Sequence, residues 1–188
     1  MKSNILNVLD LELSCYPGDK FPDGEQKEII EFGLTTVDLS KLVILQSYSL
    51  PIIPTMSKIS PYCTELTGWT EAKLKRQGMP FSEALRRIEK KHGGKNRTVV
   101  TDSDKELDAV RAQCQLMGLP CPFGSGYFNV STMIAVLTGE LRNLSLPEKL
   151  ALFKLEFDGS LHSGKDDSCN IARLLIEVAT RGRIQLAD

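Results

Sequence analysis

The sequence predicts an α/β fold: one mixed five-stranded sheet, opened by an antiparallel three-strand meander, completed by α/β units and flanked by helices. Three observations predict it. Three short apolar runs stand near the N-terminus with short connections, the pattern of a meander. Beyond residue 60, runs of helical period alternate with short strand-like runs, the pattern of α/β units on the same sheet. The chain has 188 residues, 41% hydrophobic and 25% charged, which fits one globular domain over residues 1–188 and excludes disorder as its main character.

The first strand is Ile5-Leu6-Asn7-Val8-Leu9-Asp10-Leu11-Glu12, short and apolar enough to be buried. Pro17-Gly18-Asp19 and Pro22-Asp23-Gly24 carry turn chemistry. A second strand runs from Glu28 to Val37 and a third from Leu42 to Leu50, ended by Pro51 and Pro54. Pro61 to Gly68 reads as a short helical or looped segment. Phe81, Ala84, Leu85 and Ile88 make one face of an amphipathic helix that stops at His92-Gly93-Gly94. Arg97 to Thr101 is a fourth strand. Leu107, Val110, Cys114 and Met117 mark a helix closing at Gly118-Leu119-Pro120. A fifth strand falls around Tyr127 to Val130. Another helix begins at Leu146, with Ser145 as N-cap and Pro147 in its first turn. The last helix opens around Asp166 and sets Ile171, Leu174, Leu175 and Val178 on one face.

Charge narrows the function classes. Lys plus Arg number 23 and Asp plus Glu 24, a net charge of −1. That excludes a protein gripping nucleic acid or a membrane by bulk positive charge, but not a local site for an acidic substrate. No run reaches the roughly 18 apolar residues of a membrane span. Asn4, Asn7, Asp10 and Glu12 interrupt any signal-peptide core. Five cysteines, at positions 15, 63, 114, 121 and 169, form no C-x-x-C. An odd, irregular set points to free thiols in a reducing, cytoplasmic setting.

Carboxylates supply the candidate chemistry. Asp10 and Glu12 lie two apart on a strand, so both face one side. Two adjacent acids repel and cost desolvation unless they are solvated or bridged by cations. His162 stands in a Gly- and Ser-containing loop ahead of Asp166 and Asp167. An Asp at a helix start is explained by capping and the helix dipole alone. His92 is a helix-terminal residue without a chemical role.

Together, D-x-E on the first strand, an acid opening a middle helix and H-x4-D before the last helix resemble the DEDDh family of 3′–5′ exonucleases, over nearly the whole chain. Leu9-Asp10-Leu11-Glu12 with Cys15 is similar to that family's first motif. Glu28-Ile29-Ile30-Glu31-Phe32-Gly33 is similar to its second strand, and Leu66-Thr67-Gly68-Trp69-Thr70 to its L-T-G-I-T element. His162 to Asp167, followed by Ser168, Asn170, Ile171, Ala172 and Arg173, resembles the third motif, in the form found in the Eri-like branch of histone-mRNA and small-RNA 3′ exonucleases. The middle motif departs from the family's T-W-x-D-W-D-L: here it is Thr101-Asp102-Ser103-Asp104-Lys105-Glu106-Leu107, with Glu106 at the ligand's place and Asp104 as a substitute.

The resemblance implies a ribonuclease H-like sheet and two divalent metal ions, Mg²⁺ or Mn²⁺. Asp10, Glu12 and Asp167 would hold the metal that activates water, Asp10 would bridge to the second, and Glu106 would act in an outer position. His162 would be the general base. Backbone groups around Leu13 and Ser14 would line the terminal nucleotide. Lys165 and Arg173 are candidate phosphate contacts, with solvated surface charge as the alternative, and Trp69 is a packing residue. The implied activity is 3′–5′ hydrolysis of single-stranded RNA ends. DNA-directed cleavage and a catalytically weak 3′-end binding module, suggested by Glu106, are the rivals. A targeting protein partner is compatible with the sequence, although no residue pattern supports one.

Overall fold

A computed structural model describes residues 4–185. Strands β1 (Ile5–Leu13), β2 (Ile29–Asp38), β3 (Val43–Pro51), β4 (Val99–Thr101) and β5 (Tyr127–Asn129) form one sheet in the order β3-β2-β1-β4-β5. β1 pairs antiparallel with β2, and β2 with β3. β4 joins β1 in parallel and β5 joins β4 in parallel. The meander and the α/β completion expected from the sequence are both present.

Among the described residues, seven α-helices flank the sheet: α1 (Pro61–Thr67), α2 (Glu71–Gln77), α3 (Phe81–Lys91), α4 (Asp104–Leu116), α5 (Val130–Thr138), α6 (Leu146–Leu152) and α7 (Gly164–Gln185). Strand alternation divides the core between the two faces. Leu9, Phe32, Leu34 and Val99 pack against α3 and α4. Leu6, Val8, Val37 and Val100 pack against α5, α6 and α7. Asp10 and Glu12 follow the even-numbered set, so the pleat carries their side chains toward the α7 face.

α2 and α5 were not expected. α2 buries only Leu74, so no apolar period marks it. The β-branched run of α5 favours a strand by propensity, but its ends decide otherwise. Asn129 accepts a hydrogen bond from the Thr132 N–H at one end, and Gly139 takes a left-handed conformation (φ +75°) at the other. The Asn129 cap also shortens the fifth strand by one residue. α7 begins two residues before the expected start, for a packing reason. A Cβ on Gly33 would lie 1.7 Å from the Gly164 carbonyl oxygen, so the first turn of α7 rests directly on β2. Gly33 is the cross-strand partner of Asp10, which brings the N-terminus of α7 over the acidic end of β1.

Candidate active site

Asp10 and Glu12 stand near the C-terminal end of β1, and Asp167 in the first turn of α7. One carboxylate oxygen from each lies within 4.8 Å of the others. They open on a cleft of about 430 Å³ that Asp102, Glu106 and His162 also line, with Leu146 and Pro147 of α6 as part of its wall.

The three acids are held against their own repulsion. Burial drives the Asp10 carboxyl well above its usual range, and the charges of Glu12, Asp167, Glu106 and Asp102 add to it. Burial pushes Glu12 up to about 8, helped by Asp167 and Glu31. Burial pushes Asp167 up to about 7; a hydrogen bond from the His162 backbone opposes the shift, while Asp166, Glu31 and Asp102 reinforce it. Among the described residues, the cleft's one ion pair joins Lys149 to Asp102 and leaves these three carboxylates without a basic partner. Clustered, unpaired oxygen donors fit a hard divalent cation, which would relieve both repulsion and desolvation.

His162 faces the same cleft in a left-handed conformation (φ +61°). A non-glycine residue held there stores about 1–3 kcal/mol, which the surrounding fold must offset. His162 and Asp167 line the same opening.

The remaining candidates fall in different places. Glu106 lines the cleft, but its carboxylate accepts from the Ser103 N–H (3.2 Å) and Ser103 Oγ (2.9 Å), closing a capping box on α4. Burial raises its pKa, and the Ser103 bonds oppose the rise. Asp104 is not among the cleft residues: its carboxylate accepts from Tyr127 Oη (2.6 Å) and Asn129 Nδ2 (3.0 Å). Leu13 and Ser14 are likewise not among the residues that line the cleft. The Ser14 N–H donates to the Glu28 carbonyl, and the Ser14 hydroxyl accepts from the Glu28 N–H. Lys165 lines a neighbouring hollow with Trp69 and Lys73. Arg173 binds the Glu156 carbonyl and the Asn170 side chain.

Two residues escaped the sequence reading. Asp102 lines the cleft, and its signal was present in an acid one place beyond the end of β4. Buried Glu31, the cross-strand partner of Glu12, accepts from Trp69 Nε1 (2.8 Å), Ser49 Oγ (2.5 Å) and the Gly164 N–H (3.3 Å). Nothing local distinguished it from an ordinary strand acid.

The exonuclease family described as RNase_T matches residues 8–175. Human ERI1 exoribonuclease 3 is 30% identical, over 94% of this chain and 54% of its own length. Rat 3′-5′ exoribonuclease 1 is 28% identical, over 93% of this chain and 53% of its own. The chain thus spans about half the length of these relatives. The solved nuclease domain of 3′hExo, described as a DEDDh family member bound to rAMP, superposes with a TM-score of 0.84 at 26% identity, covering 96% of this chain and 94% of that one. The sheet is the ribonuclease H-like sheet of these enzymes.

Proposed function

The chain belongs to the RNase_T exonuclease family, and on that premise we propose that residues 1–188 act as one domain that removes nucleotides from the 3′ ends of single-stranded RNA. The observation that carries the reading is the cluster of Asp10, Glu12 and Asp167, drawn together without a basic partner and facing His162 across one cleft. RNA is favoured because the relatives' names are those of exoribonucleases and the 3′hExo nuclease domain holds rAMP. Five free thiols among the described residues support action in a reducing compartment, the cytoplasm.

DEDDh exonucleases use divalent metals. Two ions, Mg²⁺ or Mn²⁺, would be held by Asp10, Glu12 and Asp167, with Glu106 in an outer position. When bound they supply positive charge for water activation and for the leaving 3′ oxygen. The chain's own residues do the rest. Asp10 and Glu12, fixed by the β1–β2 pairing, would hold the cations that meet the scissile phosphate. An imidazole nitrogen of His162 accepts the proton of the attacking water and releases it to solvent after cleavage. Leu146 and Pro147 narrow the opening, and Lys165 meets the phosphate chain as it enters.

A labelled single-stranded RNA should shorten from its 3′ end with Mg²⁺ or Mn²⁺, and Asp10→Ala should abolish this. A DNA oligomer of the same sequence should be cut more slowly; faster cutting would make the enzyme DNA-directed. If both oligomers stay intact with either metal, the enzyme reading fails. Glu106 motivates a second reading, because its carboxylate is engaged by Ser103. A 3′-end binding module would bind tightly without turnover and gain activity on Glu106→Asp.

A further inference from the structure

Lys149 lies on α6 with 7% of its surface exposed. Lysine is almost never buried so deeply unless its charge is paired. Its ammonium stands 2.6 Å from Asp102 Oδ2. The other oxygen, Oδ1, accepts from Ser131 Oγ at 3.0 Å. Both oxygens of Asp102 are therefore held by α5 and α6, although the residue lines the cleft. Its charge nevertheless acts on Asp10, Asp167 and Glu106.

Stability alone explains such a pair poorly. A buried ion pair is often no better than apolar residues of the same volume, because desolvation offsets the attraction. The cleft's charge explains it better. Asp10, Glu12, Glu106 and Asp167 bring four negative charges, which two divalent cations balance. Asp102 brings a fifth, on the same cleft.

We propose that Lys149 and Asp102 form a charge clamp: Lys149 cancels the extra carboxylate, holds it out of the cation-binding set, and so sets the cleft's affinity for divalent cations. Both are positioning residues that act through the field on the cleft. The inference rests on the nuclease reading in taking Asp10, Glu12 and Asp167 as the cation ligands.

Calorimetric titration of the whole chain with Mn²⁺, without RNA, tests it. Lys149→Met frees one negative charge at the cleft and should tighten Mn²⁺ binding about tenfold, the size of one opposite-charge contact. Asp102→Asn leaves the lysine's charge unbalanced and should weaken binding about tenfold by the same reasoning. The double variant should return to within about twofold of the parent, since the two charges leave together. Circular dichroism shows whether each variant folds; if Lys149→Met does not, Asp102→Asn decides alone. Equal affinities in the parent and every folded variant would overturn the clamp and leave the nuclease reading standing. A parent chain that binds no Mn²⁺ would overturn both.

Discussion

Glu12 and Asp167 bind protons in the folded chain that the unfolded chain has already released. Glu12 rises from an ordinary 4.5 to about 8, and Asp167 from 3.8 to about 7. For a raised carboxyl, the contribution to stability is full below the unfolded value and is lost as pH climbs through the folded one. Without metal, the melting temperature should therefore fall between pH 5 and pH 8.5, and Mn²⁺ should restore it at the alkaline end. A metal-free melting curve that is flat over that window would show that the carboxylates do not repel as the structure implies. Asp10→Asn removes one partner of the repulsion. It should abolish cleavage and yet raise the metal-free melting temperature at pH 8 by about 2–4 °C, the shift expected for roughly 1 kcal/mol in a chain of this size. A variant that is both inactive and less stable than its parent would place Asp10 in a supporting network instead.

At the scale of elements, the site depends on how α7 is seated. Gly33 lets its first turn reach the sheet, and Glu31 fastens it there while also holding the Trp69 indole and the Ser49 hydroxyl. Glu31→Ala leaves those donors without their acceptor, at about 1–3 kcal/mol for a buried group. The expected result is a melting temperature lower by several degrees and weaker cleavage, because Asp167 moves with α7. Trp69 is the chain's single tryptophan, so its emission reports the change directly. Unchanged emission would mean that the indole does not depend on Glu31. The same seating shows what the sequence could reveal. Asp10 and Glu12 were legible because strand period alone puts them on one face. His162 and Asp167 were legible from the spacing ahead of a helix. Ser103-x-x-Glu106 carried the signature of a capping box, yet the chemistry of a carboxylate at that position suggested a ligand first. The pairing of Asp102 with Lys149 joins residues 47 apart in the chain, and no local pattern encodes it. Ser14 shows the same limit: whether its N–H is free for a substrate depends on the Glu28 carbonyl across the β1–β2 connection.

For the whole molecule, a net charge of −1 is an average over a strongly uneven surface. Five acids face one cleft, while Lys73 and Lys165 border the neighbouring hollow beside Trp69. Bulk charge cannot then hold a long nucleic acid strand, and the grip must come from the end that enters the cleft. This has a measurable consequence in salt. Each phosphate neutralised on a single strand contributes about −0.7 to the slope of log K against log[salt]. Contact with two or three phosphates predicts a slope near −2, whereas a track of ten would give about −7. Anisotropy of a 5′-labelled RNA with inactive Asp10→Asn, across a KCl series at fixed Mn²⁺, measures that slope. Blocking the 3′ hydroxyl with a phosphate should weaken binding while leaving the slope shallow, since the end supplies the affinity. A steep slope that ignores the blocked end would instead reveal an extended basic path, and the near-neutral charge would no longer describe how this molecule meets RNA.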